Sequence, residues 1–296
     1  MEVERTKMKL SEAFTSFRKN EILALGKSAK TYESYVYAEK IAIAYFGDIN
    51  IKKITVEQVH DFYLWMCQSH AQNTSRGYIC NLRSVLAYHQ RNGVHGIVNT
   101  NLIKTPQREK KSASWITEDE FRCFIAELAK PIRGYSRLNR ERNVLIAKML
   151  FLTGLRVSEI CALNRNSITN RQFSVVGKSK NPRPCFITKE LEADIADYLA
   201  KRTDSDPALF VANQTGKRIT PGIIRSVFRR ASAGFGRRVT PHTLRHSYAT
   251  RMVDNGVDIR YVAELLGHQS LETTQKYTHI RDYRLRLVYE NVLEKS

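Results

Sequence analysis

A polar and basic stretch with one proline, LIKTPQREKKSAS from Leu102 to Ser114, separates two regions of apolar periodicity. Nothing in it has the spacing of a core segment, which is typical of a linker. A chain of 296 residues is long enough for two domains that each bury a core. We therefore predict a first domain over residues 1–103, a linker over residues 104–114 and a second domain over residues 115–296.

The first domain has the periodicity of helices joined by short loops. Leu10, Phe14 and Phe17 fall on one helical face. Thr55 and Gln58 have the spacing of a capping box, in which each side chain bonds the backbone N–H of the other residue. Four helices are predicted: from about Leu10 to Gly26, over Ala29–Phe46, from Val56 onward, and from about Thr74 to Arg91. This pattern predicts a compact helical bundle.

The second domain is predicted to be mostly helical with one β-hairpin. The segment RNVLIAKMLFLTG, from Arg142 to Gly154, is apolar enough to be a central helix. The segments FSVVG and PCFI flank the polar KSKNPR as hairpin strands do, and Pro182 and Pro184 favour an edge strand or a bulge. Other helices are predicted behind a Thr117–Glu120 capping box and at Lys189, Pro221 and Pro241. The predicted fold class is mainly α with a small β-sheet.

The net charge of +19 is the strongest signal in the composition. Lys and Arg in such excess favour a polyanionic partner, because they displace counterions from phosphate backbones. The excess is spread over both predicted domains, as in a protein that lies along nucleic acid. Some ribosomal and membrane-surface proteins have the same pattern, so charge alone does not decide the partner.

Other bulk features predict a cytoplasmic protein that does not enter a membrane. Apolar runs such as IAIAYF, from Ile41 to Phe46, are too short to span a bilayer, and the N-terminus lacks the apolar core of a secretory signal. The five cysteines are scattered, with no Cys-x-x-Cys pair. This spacing supports neither a zinc ribbon nor a disulfide framework, and we expect reduced, buried thiols.

Two local patterns suggest a cofactor and are rejected. Lys178 follows a glycine, as in a phosphate-binding loop, but Gln172 stands where that motif requires another glycine. His242 and His246 have the spacing of metal ligands on a helix, but Thr243 stands where a zinc protease has glutamate. We predict no metal site and no cofactor.

Reactive side chains are concentrated in a few short motifs. In chain order these are Gly154-Leu155-Arg156 with Glu159, the hairpin lysine Lys178, His242-x-x-Arg245, the LLGHQS motif with His268, and Tyr277 nine residues later. In this order and spacing they resemble the tyrosine recombinase (integrase) family, and most of all its short Xer-type members. The likeness is strong from Trp115 to about Arg281 and rests on architecture alone over the first hundred residues.

The resemblance implies a DNA strand-transfer enzyme that needs neither a metal nor ATP. Tyr277 would attack a scissile phosphate and form a 3′-phosphotyrosyl link with a free 5′-hydroxyl. Arg156 and Arg245 would hold the phosphate, because planar, permanently charged guanidinium groups bind its oxygens bidentately. His268 would donate to the same phosphate, and His242 would share in proton handling.

The family likeness also implies a general acid on the predicted hairpin. Lys178 would protonate the leaving 5′-oxygen. Ser179 follows Lys178 where the family often has glycine, and Lys180 is the alternative acid because the register of the hairpin is not fixed by the sequence. Glu159 is predicted to orient Arg156 rather than to react.

Five other arginines, together with Lys180, are candidates for contacts with DNA. Arg76 and Arg83 lie seven residues apart on a predicted helix of the first domain and so share a face. Arg218, Arg225 and Arg229 are candidates in the second domain. For each of them the alternative is an ordinary solvated surface position.

At the level of assembly, the resemblance implies a C-shaped clamp on double-stranded DNA, made of a helical, SAM-like core-binding domain and an α+β catalytic domain. It implies a homo-tetramer that joins two duplexes at a specific recombination site through a Holliday junction. The C-terminal segment has an apolar stripe, formed by Leu285, Val288, Tyr289 and Val292. It would dock as a helix on a neighbouring protomer; packing within its own chain is the alternative.

Two other functions are weighed against recombination. One is a DNA-binding regulator of integrase ancestry that no longer cleaves, and the other is a type IB topoisomerase. The complete set of reactive positions argues against the regulator, and the compact first domain with the LLGH motif favours a recombinase. Among the roles of recombinases, which also include plasmid resolution and inversion, the resemblance favours Xer-like resolution or the integration and excision of a mobile element.

Overall fold

The computed structural model describes residues 7–109, 114–177, 182–212 and 215–267. The chain forms two compact units, Met1–Lys111 and Ser112–Ser296. Within the described residues, no helix combines the length and the apolar character that a bilayer crossing requires.

The first unit is built from helices. Its elements are α1 (Leu10–Phe17), a π-helix (Arg18–Leu23), α2 (Ala29–Phe46), a short 3₁₀ helix (Ile51–Lys53), α3 (Val56–Cys67) and α4 (Gln72–Arg91). The bounds of α2 agree with the sequence prediction. The first predicted helix is α-helical only to Phe17 and continues as the π-helix, a wider turn that apolar periodicity does not reveal.

Local signals fix where these helices begin and end. The Ser28 hydroxyl accepts a hydrogen bond from the N–H of Thr31 at the start of α2, and Gly47 ends that helix with φ of 73°. The predicted Thr55–Gln58 capping box forms at the start of α3. The core of the unit contains fully buried side chains from α1, α3 and α4, among them Phe14, Phe62 and Leu82.

The second unit combines helices with two small antiparallel sheets. Its elements are α5 (Glu118–Ala129), α6 (Arg137–Thr153), α7 (Val157–Ala162), β1 (Gln172–Val176), β2 (Pro182–Phe186), α8 (Lys189–Ala200), β3 (Val211–Ala212), β4 (Lys217–Arg218), α9 (Pro221–Phe235), α10 (Pro241–Asp254) and α11 (Ile259–Leu266). The helix α6 is central, as predicted, and packs against α5, α8 and α10.

Within the part of the chain that the structure describes, β1 and β2 pair only with each other, so both are edge strands. In this register Phe173 pairs with Cys185 and Val175 pairs with Arg183, and these four side chains are buried. Pro182 and Pro184 lie on the exposed face. The two prolines are tolerated because, among the described residues, neither strand has a second neighbour that needs their missing N–H groups.

Candidate active site

A sharp turn before α7 positions Arg156. Gly154 caps the end of α6 in the left-handed conformation, with φ of 63°, and Arg156 is the N-cap of α7. The backbone N–H of Arg156 donates to Glu159 Oε2 at 2.7 Å, and its Nη1 donates to Oε1 at 2.8 Å. Its Nη2 donates to the carbonyl of Gly267 at 3.0 Å. Both ends of the guanidinium are therefore anchored, while 31% of the side chain stays exposed.

Arg245 lies on α10. Its side chain donates from Nη1 to the carbonyl of Gly154 and from Nη2 to the carbonyl of Leu266, each at 2.5 Å. Only 4% of the residue is exposed. A buried cation is stable only with close partners, and these carbonyl dipoles supply them.

Glu159 lies between two arginines. It is 6% exposed. Its Oε2 accepts from Arg183 Nη2 at 2.7 Å as well as from the backbone of Arg156. Arg183 also donates from Nη1 to Cys185 Sγ at 3.3 Å. Burial raises the pKa of the Cys185 thiol to about 11, so the thiol is neutral at physiological pH.

Arg156, His242 and Arg245 line one cleft of about 500 Å³ in the second unit. Three more arginines line the same cleft: Arg225, Arg229 and Arg238. These three residues are exposed. A concave surface with this concentration of positive charge attracts an anion such as a phosphate group.

His242 and His246 are paired on one side of α10. Their Nε2 atoms lie 3.0 Å apart, so one ring donates a proton and the other accepts it. His242 is exposed at the cleft, and His246 is partly buried. The described residues contain no group of three or more His, Cys, Asp or Glu side chains that could hold a metal ion.

Comparison with known proteins identifies the family of the chain. Residues 114–284 match the phage integrase family, and residues 12–102 match the phage integrase SAM-like domain. The tyrosine recombinase XerA of Pyrococcus furiosus is 36% identical over 199 residues, which are 65% of this chain and 67% of the relative. XerD of Oceanobacillus iheyensis is 32% identical over 242 residues, 77% and 79% of the two chains.

The chain belongs to the phage integrase family. As the motifs predicted, it is a Xer-like site-specific tyrosine recombinase. Neither alternative, the regulator nor the topoisomerase, finds support among the similar proteins.

The fold of this recombinase agrees with solved structures. XerH site-specific recombinase in a post-cleavage complex with its palindromic difH substrate has a TM-score of 0.74, with 22% identity over 95% of this chain and 84% of the other. The Tn1549 transposon integrase in complex with transposon right end DNA has a TM-score of 0.78, with 15% identity over 95% and 100% of the two chains. The predicted fold class, a mainly helical protein with a SAM-like and a catalytic domain, is confirmed.

The structure covers the predicted site residues unequally. Arg156, His242 and Arg245 come together at the cleft, with Glu159 behind Arg156. Four predicted residues lie outside the described part of the chain: Lys178, Lys180, His268 and Tyr277. Their roles stay predictions.

Of the six DNA-contact candidates Lys180 lies outside the described residues, and the five arginines differ in their surroundings. Arg225 and Arg229 line the cleft. Arg218 donates to the carbonyls of Cys161 and Leu163 at 2.9 Å, which gives it a structural task at the end of α7.

In the first unit, the two candidates on α4 are partly buried. Arg76 donates from Nε to the carbonyl of Pro106 at 2.8 Å, so its side chain holds the segment that follows the bundle. Arg83 lines a separate groove between the helices with Glu21 and Lys27.

Sequence reasoning missed two arginines near the site. Arg238 precedes the Thr240 cap of α10 and lines the cleft, but its surroundings in the sequence are those of any surface arginine. Arg183 had a usable signal. In a strand it must share a face with Cys185 and Ile187, so alternation alone places this arginine among apolar residues.

Proposed function

We propose that the cleft of Arg156, His242 and Arg245 binds the scissile phosphate of double-stranded DNA, and that Tyr277 attacks this phosphate. The observation that carries the proposal is the anchoring of two guanidinium groups on one cleft. The bonds of Arg156 to Glu159 and Gly267 use two of the five N–H donors of a guanidinium. The group can therefore bind phosphate oxygens without leaving its anchors.

In the proposed reaction Tyr277 gives its phenolic proton to His242, and its oxygen forms a bond to phosphorus as the bond to the 5′-oxygen breaks. Arg156 and Arg245 stabilise the negative charge that grows on the non-bridging oxygens, with His268 as a further donor. A hairpin lysine, Lys178 or alternatively Lys180, gives its proton to the leaving oxygen. The phosphotyrosyl link keeps the bond energy, so a second 5′-hydroxyl can displace the tyrosine in the reverse sense.

A substrate with a sulfur leaving group tests the acid assignment. The substrate is first selected from a random library of nicked duplexes, as a duplex that stays covalently attached to the protein. The same duplex with sulfur in place of the bridging 5′-oxygen needs little protonation, because a thiol is far more acidic than an alcohol. We expect Lys178→Ala to cleave the normal duplex slowly and the sulfur duplex at nearly the normal rate. The same pattern in Lys180→Ala alone would transfer the role to Lys180.

Double-stranded DNA as the partner is supported by the net charge of +19 and by the arginine-lined cleft. The XerH and Tn1549 integrase structures contain DNA. We propose that the first unit reads the flanking duplex and the second unit cleaves it, with residues 104–114 as the connection of a clamp. With such a substrate, we propose that the protein acts in the cytoplasm.

We also propose that the C-terminal segment docks on a neighbouring protomer of a tetramer. An apolar groove between β2 and α11 suits such a helix. It is lined by Pro184, Tyr261, Glu264 and Leu265, and a second groove that shares Pro184 and Leu265 reaches Met252 on α10. Tyr261 is 64% exposed. An aromatic side chain with this much surface in water is typical of a site that a partner covers.

Charge introduced into this groove tests the exchange. Tyr261→Glu is expected to bind one duplex and to cleave it, because Tyr261 does not line the cleft. The same variant should fail to form the complex of two duplexes and Holliday junctions in native gels. Tyr37→Glu is a matched control, since Tyr37 is exposed to a similar degree, 59%, on the first unit. Normal junction formation by Tyr261→Glu would exclude this groove as the docking site.

A further inference from the structure

We propose that Arg183 is a positioning residue for strand cleavage, which neutralises Glu159 so that Arg156 presents its full positive charge to the scissile phosphate. The inference rests on the proposed role of Arg156 as a phosphate ligand. Arg183 itself does not line the cleft.

The burial of Arg183 is the first observation. Only 6% of the residue is exposed, and on its strand it faces inward with Cys185. Burying a guanidinium is costly unless it is paired, and an apolar side chain would fill the same place without that cost. A cation at this position therefore calls for an electrostatic reason.

The shared carboxylate supplies that reason. Glu159 Oε2 accepts from Arg183 Nη2 at 2.7 Å, and Glu159 Oε1 accepts from Arg156 Nη1 at 2.8 Å. The side chains of Arg183 and Glu159 are 7% and 4% exposed, so solvent screens their interaction little.

The charges of the three groups decide what the cleft presents. Arg156 and Glu159 alone would form a neutral pair, and the carboxylate would oppose the approach of a phosphate. Arg183 adds a second positive charge behind the carboxylate, so the trio carries one net positive charge. Arg156 is the member of the trio that reaches the cleft, and it keeps both its orientation and its attraction for an anion.

A close backbone approach ties Arg183 to the other anchor of Arg156. A Cβ atom added to Gly267 would lie 2.9 Å from Arg183 Cδ and 3.0 Å from Arg183 Nε. The carbonyl of Gly267 accepts from Arg156 Nη2. Arg183 Nε has no hydrogen-bond partner among the described residues. Arg183 thus packs against both groups that orient Arg156, the Glu159 carboxylate and the Gly267 peptide.

Cleavage at saturating DNA separates positioning from simple structural support. Arg183→Met keeps the apolar stem and removes the charge. We expect its cleavage rate to fall by at least about tenfold while its affinity for the duplex changes little, because Arg156 alone then balances the charge of the Glu159 carboxylate. The double variant Arg183→Met with Glu159→Gln removes both opposite charges and should recover most of the lost rate.

Two further variants keep the test decisive if Arg183→Met folds poorly. Arg183→Lys retains the charge and should keep most of the cleavage rate even where its melting temperature drops. Glu159→Gln alone gives the reference for the double variant. A wild-type cleavage rate in Arg183→Met would overturn the inference. So would a double variant whose fold-loss in rate equals the product of the fold-losses of the two single variants.

Failure of the underlying assignment looks different. If Arg156→Ala cleaves as well as the wild type, the proposed role of Arg156 fails, and the Arg183 variants say nothing further in its favour. If Arg156→Ala is inactive and Arg183→Met is fully active, only the role of Arg183 fails.

Discussion

Arg156 and Arg245 donate to consecutive carbonyl groups at the end of α11, those of Gly267 and Leu266. Arg245 also donates to Gly154, two residues before Arg156. The two guanidinium groups, which reach the cleft from α7 and α10, are therefore fixed to one short piece of backbone. A shift of this helix end would move both phosphate ligands together.

The geometry of Arg245 predicts that lysine cannot replace it. Arg245→Lys keeps the charge but offers a single point donor, which cannot bind two carbonyls and a phosphate in the same plane. We expect the rate of covalent cleavage of a nicked duplex to fall about 10²- to 10³-fold.

Arg122→Lys is the control for Arg245→Lys, because Arg122 is 76% exposed on α5 and bonds only Asp119 among the described residues. Equal rates in the two variants would show that Arg245 is not a phosphate ligand.

Substitution of Gly154 is expected to destabilise the fold strongly. It has φ of 63°, and an added Cβ would lie 2.5 Å from Tyr248 Cδ1 and 2.9 Å from Leu266 Cδ2. We expect Gly154→Ala to lower the free energy of unfolding by about 3 kcal/mol, through backbone strain and overpacking together. Cleavage should fall as well, since the Gly154 carbonyl anchors Arg245.

Gly236→Ala isolates the backbone strain. Gly236 has a similar conformation, with φ of 83°, but an added Cβ would meet nothing within 4 Å. Its expected cost is about 1 kcal/mol in chemical denaturation. Similar losses for the two alanines would mean that the close packing around Gly154 is not a constraint.

Two neighbouring arginines on α9 separate DNA contact from surface charge. Arg229 lines the cleft, whereas Arg230 stacks on the ring of Tyr135 at 4.7 Å. Arg229→Ala should weaken binding of any duplex. It should also reduce, by about one, the slope of the logarithm of the DNA association constant against the logarithm of the salt concentration. Arg230→Ala, which loses the same formal charge, should leave the slope unchanged in fluorescence anisotropy titrations. If Arg230→Ala lowers the slope and Arg229→Ala does not, the DNA lies on the other side of α9.

Asp204 predicts a pH dependence of stability. The side-chain hydrogen bond from Arg202 lowers the pKa of the Asp204 carboxyl to about 2, with help from the N–H of Asp206 and the charge of Arg165. A carboxyl whose pKa is lower in the folded state stabilises the fold above its unfolded pKa and loses this effect as the pH falls toward 2. We expect Asp204→Asn to cost about 1–2 kcal/mol at pH 7.

Urea denaturation between pH 7 and pH 2 checks this. The difference in the free energy of unfolding between Asp204→Asn and the wild type should shrink steadily below about pH 4. Asp197→Asn is the control. Asp197 is 66% exposed in a surface pair with Lys201, and its loss should change little.

Features with local causes could be predicted from the sequence. The bounds of α2, the Thr55–Gln58 and Thr117–Glu120 capping boxes and the Thr240 cap before Pro241 depend on residues within one turn. The motif spacing likewise placed Arg156, His242 and Arg245 in one site, because they belong to a pattern shared with a family.

Features with tertiary causes could not. The carbonyl groups that Arg218 bonds lie more than fifty residues away, on and after α7, and no sequence feature near Arg218 indicates them. The cleft position of Arg238 depends on how α9 and α10 meet. Arg183 shows the intermediate case: strand alternation indicates its burial, but its bond to Glu159 follows only from the packing of β2 against α7.

The central claim is that Tyr277 becomes covalently linked to DNA. The most direct test incubates wild-type protein and Tyr277→Phe with a library of nicked duplexes, denatures both in SDS and sequences the DNA that stays attached. We predict adducts at a defined sequence with the wild type and none with Tyr277→Phe, which should still bind the same duplex without a covalent link. Adducts that persist in Tyr277→Phe, or a wild type that binds a specific duplex and never links to it, would contradict the claim.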